Sequence, residues 1–250
     1  MRIMYPSNYT YRGPLSVDEY FGDEYELVGD DAILLANRYG IVGDVTGHDC
    51  LYRGWMLTQE EYAKLEESVT EAGGHMLVST DEYKSNHWIS GWINEIAYLT
   101  PETVLTTREN AAEVFYSLGW DWAFVKDYVK SNTGRKGSIA WNVEHVEEIL
   151  AEIELFRGQI EGGVALRKVE QFDKGTEKRY FVVNGYAPVG SPDIVAQVAK
   201  LHRSRFFSVD IAVLDYRWRV VEIGDGQVSD PKGMDLSSFV NMLYGVSSNA

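Results

Sequence analysis

The chain has 250 residues, 45% of them hydrophobic, enough for one large domain or two small ones with a sizeable core. A formal charge of -15, from 23 basic against 38 acidic residues, argues against a face that binds duplex nucleic acid, which needs clustered Lys and Arg, but leaves room for a small basic pocket around one nucleotide. A single cysteine excludes an intramolecular disulfide, and neither a signal-peptide core nor an apolar run of membrane-spanning length is present, so a cytoplasmic protein is expected.

Residues 1–5 form a short apolar run stopped by Pro6, a first strand; 17–27 are acidic and aromatic, and 32–42 apolar again, so the opening reads strand, helix, strand. A loop follows at 43–47. Cys50 is expected to be a small buried apolar group rather than a reactive thiol. Thr58 and Glu61 are spaced as a capping box, Tyr62, Leu65 and Val69 make an apolar stripe, and Gly73-Gly74 ends that helix. A strand is expected at 75–79 and a long helix at 81–99 with Trp88, Trp92, Ile93 and Ile96 inward. This alternation is a small α/β layer. Further on come a helix at 106–118, a strand at 122–128, a Gly- and hydroxyl-rich loop at 131–138, and an acidic amphipathic helix at 142–156. Strands at 164–172 and 179–183, a helix at 193–203, two strands at 206–214 and 218–223, and a last helix at 235–244 complete the pattern.

The two strands 206–214 and 218–223, joined at Asp215-Tyr216-Arg217, read as a β-hairpin with one acid in each arm, Asp210 and Glu222. Buried carboxylates need a partner. Counted from the turn, the two can share a face as ligands of a divalent cation, with Asp225 in a Gly-Asp-Gly turn as a third, or they can be solvated or bonded to Arg217 and Arg219. Lys126 stands within an apolar strand, and the 131–138 loop beyond it can cradle phosphates or be an exposed hairpin loop, since it lacks P-loop spacing. The segment Val169-Glu170-Gln171-Phe172 can be a hinge whose backbone reads an adenine edge. His87 follows a polar turn and can face a cleft. Trp55, Trp88, Trp92, Trp120 and Trp122 are more simply core aromatics.

The series Lys126, a Gly/Ser loop, Glu170-Gln171-Phe172, Glu177-x-Arg179, Asn184-Gly185, Asp210 and Glu222 resembles the ATP-grasp superfamily over residues 106–230. More narrowly, YRGWML, FVKDYVKS and EIGDGQVSD are similar to the small ATP-grasp proteins of phages and bacteria named for a signature arginine and two lysines. The resemblance implies an α/β (α+β) ATP-grasp fold with a pre-grasp layer at 1–105 and the grasp domain at 106–250, its nucleotide-binding part at 106–172 and its metal-binding hairpin at 206–230. It implies ATP and Mg²⁺ as cofactors. Lys126 and Lys130 would bind phosphates, Glu170 with the backbone of Gln171 and Phe172 adenine, and Glu177 the ribose. Asp210 and Glu222, with Asp225, would hold Mg²⁺, and Arg179 or Arg167 (Arg53 a distant third) would stabilise the transferring phosphoryl group. The usual second-strand pattern Glu-x-Asn is broken by Gly224. The activity implied is ATP-dependent ligation of a carboxylate to an amine, on a small molecule or a peptide, through an acyl phosphate. The alternatives are a nucleotide- or partner-binding module without turnover, and phosphotransfer to a hydroxyl or a nucleic-acid end.

Overall fold

The computed structural model describes residues 1–8, 15–129 and 137–247. Strand β1 (Arg2–Asn8) lies at the centre of the first sheet. The short strand β2 (Ser16–Val17) pairs antiparallel with its end, and α1 (Gly22–Val28) leads into β3 (Ala32–Ala36) and β4 (Gly40–Val42). β3 runs parallel to β1, whereas β4 turns back on β3 through Asn37 and Arg38, both at positive φ. The single strand expected over 32–42 is therefore a hairpin.

On the other side of β1 lies β5 (Asp49–Tyr52), then α2 (Gln59–Glu71) and β6 (His75–Met76), giving the order β4-β3-β1-β5-β6. Helix α2 starts at the expected capping box, and Tyr62, Leu65 and Val69 are its buried residues. Cys50 sits fully buried in β5, and burial pushes its thiol pKa up.

The helix expected over 81–99 is broken. α3 (Thr80–His87) stops at Trp88, whose backbone is extended, and a single turn, α4 (Ile89–Trp92), follows. Two tertiary contacts impose the break. Ile89 N–H donates to Tyr128 O at 2.8 Å, and Gly91 comes so close that a Cβ there would lie 2.4 Å from Ser85 O.

The second sheet has the order β7-β10-β8-β9: β7 (Thr103–Thr106), β8 (Ala123–Asp127), β9 (Ile139–Ala140) and β10 (Val164–Lys168). Helices α5 (Ala111–Leu118) and α6 (Val143–Arg157) cover it and share its core with Val125, Val164 and Leu166. The helix expected from 106 thus begins at 111, preceded by a strand. The strand expected over 164–172 ends at 168, and the chain then crosses to the third sheet.

That sheet has the order β11-β12-β13: β11 (Lys178–Val183), then α7 (Asp193–Leu201), β12 (Phe206–Leu214) and β13 (Arg217–Asp225). The predicted hairpin is present, with a turn of two residues, Asp215 and Tyr216, at φ 48° and 63°, and Leu214 opposite Arg217. The last helix, α8 (Leu236–Gly245), packs Phe239, Val240 and Leu243 into the core of the first sheet. Both ends of the chain therefore contribute to one hydrophobic cluster. Among the described residues no helix is long and apolar enough to cross a membrane.

Candidate functional site

The two acids stand opposite one another as expected, although the turn has two residues rather than three and an irregularity beyond Asp210 restores the register. Asp210 on β12 lies directly opposite Glu222 on β13, and directly opposite Arg179 on β11. Directly opposed residues in antiparallel strands share a face, so three charged side chains line one rung of the sheet. Arg179 Nε and Nη2 grip the two carboxylate oxygens of Asp210 at 2.7 Å each. Lys126 Nζ, reaching from β8 in the second sheet, donates to Glu222 Oε1. Of the two outcomes left open by the sequence, the acids are paired, but with Arg179 and Lys126 rather than with Arg217 and Arg219.

Lys126 is 2% exposed. Burial raises the Glu222 carboxyl, but Lys126, Arg167 and Arg179 together outweigh it and hold the group below the ordinary carboxylate range. For Arg179, burial disfavours the charge while the hydrogen-bonded Asp210 carboxylate favours it more, and its pKa is raised.

One position past this rung the hairpin is irregular. Asp210 faces Glu222 but Ile211 faces Val220, so Val221 is an extra residue, a β-bulge. Its freed carbonyl accepts from Arg167 Nη1 at 2.8 Å. Arg167 also donates to Thr100 Oγ1 at 2.8 Å and to Thr103 Oγ1 at 3.3 Å, and burial lowers its pKa. All three acceptors are neutral. Arg167 thus joins the second sheet to the third, whereas Arg179 borders the open cavity.

Asp225 is not placed with the other two acids. It stands three residues beyond Glu222, on the opposite face of the strand, fully buried. Its Oδ1 accepts from Gln227 N at 3.0 Å and Gln227 Nε2 at 3.1 Å, and its Oδ2 from Asn86 Nδ2 at 2.8 Å. Desolvation outweighs these donors and pushes its pKa up to about 7. Among the described residues no three His, Cys, Asp or Glu side chains come together to hold a metal ion. The donor set on the rung is two carboxylates, hard oxygen ligands of the kind Mg²⁺ accepts with several waters or phosphate oxygens completing its shell. Each carboxylate has lone pairs beyond those its cation occupies, so the pair fits such an ion.

Two cavities meet this stretch of β13. One of about 220 Å³ is lined by Phe124, Ile139, Glu170, Phe172 and Val221, with Arg167 at its wall. The hinge residues Glu170 and Phe172 thus come to an apolar slot beside Lys126's strand, while Gln171 is exposed. Glu170 is held by Arg219 Nε at 3.2 Å and Nη2 at 2.8 Å. The other cavity, about 420 Å³, is bordered by Arg179, Glu222, Gly224 and Asp230. Glu177 is exposed, its carboxylate 3.5 Å from Lys232 Nζ, which lies 3.9 Å from Asp210. Lys130, and most of the 131–138 loop, fall outside the described residues.

Trp55, expected in the core, is instead 50% exposed and lines the larger cavity. His87, which the sequence allowed to face a cleft, lines it too and stacks on Tyr83. Trp122 is likewise exposed, whereas Trp92 is buried as expected. Arg53 is buried against Glu24 at 3.0 Å and donates to Gln227 O at 2.9 Å. It fastens the first layer to the segment following β13. Asp230 lay within the EIGDGQVSD stretch, but nothing in its spacing set it apart.

The chain matches the family model for the ATP-grasp domain, R2K clade family 3, over residues 73–243. It belongs to that family, and the resemblance carried by Lys126, the hinge and the two hairpin acids is borne out. Solved structures with the same fold include a RimK domain ATP-grasp protein from Sphaerobacter thermophilus, 14% identical over 96% of this chain and 98% of that one, with TM-score 0.62. D-alanine–D-alanine ligase from Bacillus anthracis, solved with ATP, is 16% identical over 98% and 96%, with TM-score 0.63. The ATP-grasp ligase PsnB, in complex with a minimal precursor, Mg and ADP, is 12% identical over 98% and 97%, with TM-score 0.57. No curated protein matches.

Proposed function

We propose that this protein is an ATP-dependent ligase that activates a carboxylate as an acyl phosphate and joins it to an amine. The observation that carries the reading is the rung Arg179–Asp210–Glu222 with Lys126 closing it from the other sheet. Two acids and two cations stand between an apolar slot and a larger open cavity of mixed lining. This is an arrangement for placing a nucleotide with its base in the slot and its phosphates across the rung.

In this reading Phe124, Ile139 and Phe172 sandwich the adenine, Glu170 and the backbone beside Gln171 face its edge, and Glu177 serves the ribose. Lys126 neutralises phosphate oxygens, a role the family resemblance gives to Lys130 as well. Asp210 and Glu222 would hold Mg²⁺, which when bound would offset negative charge on the triphosphate. Arg179, fixed by both oxygens of Asp210 and by Asp230 O at 3.2 Å, keeps one N–H on each Nη to present to the γ-phosphoryl group as negative charge redistributes. The carboxylate oxygen attacks the γ-phosphorus, the bond to the bridging oxygen breaks and ADP leaves. The amine then displaces phosphate from the acyl carbon. Catalysis here is mostly positioning and charge stabilisation. Arg167 has a supporting part, holding the bulge that sets Glu222 opposite Asp210.

Calorimetric titration with ATP, with and without Mg²⁺, followed by ADP release against pools of amino acids and peptides, tests the proposal. Absence of ATP binding removes it. A second reading, a nucleotide-binding module without turnover, is favoured by one observation: Gly224 offers no side chain and Asp225 faces away, so the rung has two acids and no third. Tight ATP binding with no ADP release against any acceptor would support it.

A further inference from the structure

The 420 Å³ cavity has two unlike sets of lining residues: the charged Arg179 and Glu222, and the apolar Trp55, Met56, Val129 and Val228, with His87. Trp55 is half exposed yet rigidly built. Tyr52 Oη donates to Trp55 O at 2.6 Å and Trp55 Nε1 donates to Asp18 Oδ2 at 3.1 Å. Its ring packs at 5.3 Å from Phe21 and 4.9 Å from Tyr20. Gly54, just before it, has no room for a Cβ, which would meet the Tyr52 hydroxyl at 2.4 Å. An aromatic wall fixed in this way gives up little conformational entropy when a ligand packs on it.

Charge narrows the ligand further. Among the described lining residues Arg179 is the sole Lys or Arg, and two of its nitrogens are already committed to Asp210. The carboxylates near the aromatic wall, Asp18 and Asp230, are bound by Trp55 Nε1 and by Tyr20 Oη respectively. A second negative group on a substrate would meet carboxylates there and, among the described lining residues, no cation besides Arg179, whose Nη1 already donates to Asp230 O at 3.2 Å. An ammonium group would be welcome beside Asp230.

We infer, resting on the ligase reading, that the acid activated in this cavity carries an aromatic or large apolar body and no second negative charge. Its carboxylate lies at Arg179 and its body along Trp55. Acetate would leave the Trp55 wall uncovered.

Hydroxylamine tests this without knowledge of the amine, because its nitrogen displaces phosphate from an acyl phosphate, loses a proton to solvent and leaves a hydroxamate. The protein is incubated with ATP, Mg²⁺, hydroxylamine and one of four acids: 3-phenylpropionate, L-phenylalanine, acetate or L-glutamate. Hydroxamate from the two aromatic acids should form with kcat/KM about ten-fold or more above that for acetate and L-glutamate. Trp55→Ala should raise KM for 3-phenylpropionate about ten-fold with a smaller change in kcat, and Trp55→Phe should restore most of it. ATP titration of both variants checks that they are folded. Equal or better use of acetate or L-glutamate overturns the inference and leaves the ligase reading standing, as does an unchanged KM in Trp55→Ala. ATP binding with no hydroxamate from any of the four acids counts against both.

Discussion

Lys126 and Glu222 stand on different sheets, β8 and β13, and their side chains meet in an ion pair. The lysine is almost wholly buried, while the glutamate side chain is 41% exposed at the cavity wall. In the proposed function a triphosphate entering between the sheets would meet an ammonium group already desolvated and aimed, and would take the place of one anionic partner.

Lys126→Met therefore should fold, since Glu222 can turn to water, and should bind ATP about ten- to a hundred-fold more weakly, the worth of a charge-assisted hydrogen bond. Calorimetry reads the affinity and circular dichroism the fold. Unchanged ATP affinity in a folded variant would rule out contact between Lys126 and the phosphates.

The two arginines separate by readout. Arg167 is buried on three neutral acceptors and joins two sheets, so Arg167→Met should cost about 2–4 kcal/mol of stability, as carbonyl and hydroxyl groups lose their donor. Arg179→Lys keeps a charge near Asp210 but cannot reproduce the two-point grip. It should lie within about 1 kcal/mol of the parent by denaturant melting while lowering kcat at least about ten-fold. The reverse pattern, a stable Arg167 variant and an unfolded Arg179 variant, would exchange their roles.

Asp225 gives a pH dependence with a definite sign. Its folded pKa of about 7 lies above the value of a free aspartate, near 3.9. Between those values the folded state holds a proton that the unfolded state has lost, so this group's contribution is fully present below about pH 4 and falls as pH rises to about 7. Denaturant melts of the parent and Asp225→Asn across pH 4 to 8 isolate it. The stability difference, parent minus variant, should decline over that window and level off above it. A difference that rises with pH would mean that the carboxylate is ionised in the fold.

The parts of the site that strand parity governs were legible in the sequence only in part. Counting from a three-residue turn at 215–217 puts Asp210 opposite Glu222; the turn has only two residues, which alone would set Asp210 opposite Val221, and the bulge at Val221, which no local pattern foretells, restores the pairing. Counting on from Glu222 puts Asp225 on the other face of β13, where its place in a supposed turn had hidden it. Strands β5 and β9, of four and two residues, are too short to show a period, and so passed unread. The break at Trp88 depends on Tyr128 and Ser85, contacts that no local pattern announces. Trp55 was assigned to the core on residue type alone, and only its surroundings, with Asp18 beside the indole and the cavity in front, reveal a different place.

Gly224 sits on the face of Asp210 and Glu222, directly opposite Ser208. Its backbone is not in the left-handed region, so no strain demands glycine there; the neighbours do. A Cβ at 224 would lie 3.1 Å from Ser208 Oγ and 3.2 Å from Ser229 Oγ, and these hydroxyls bond each other at 2.7 Å while Ser229 Oγ donates to Asp225 O at 2.8 Å. Gly224→Asn must push this pair apart, at about 1–3 kcal/mol for overpacking, against about 0.4–1 kcal/mol gained from a stiffer unfolded chain. The net effect should be a loss of stability. Removing the hydroxyls, in Gly224→Asn with Ser208→Ala and Ser229→Ala, should recover most of the loss relative to the single variant and set an amide oxygen beside the two acids. Thermal melts of the single and triple variants decide the packing, and Mn²⁺ titration followed by electron paramagnetic resonance decides whether the amide tightens cation binding. A single variant as stable as the parent would show that the hydroxyl pair does not occupy the space a side chain at 224 needs.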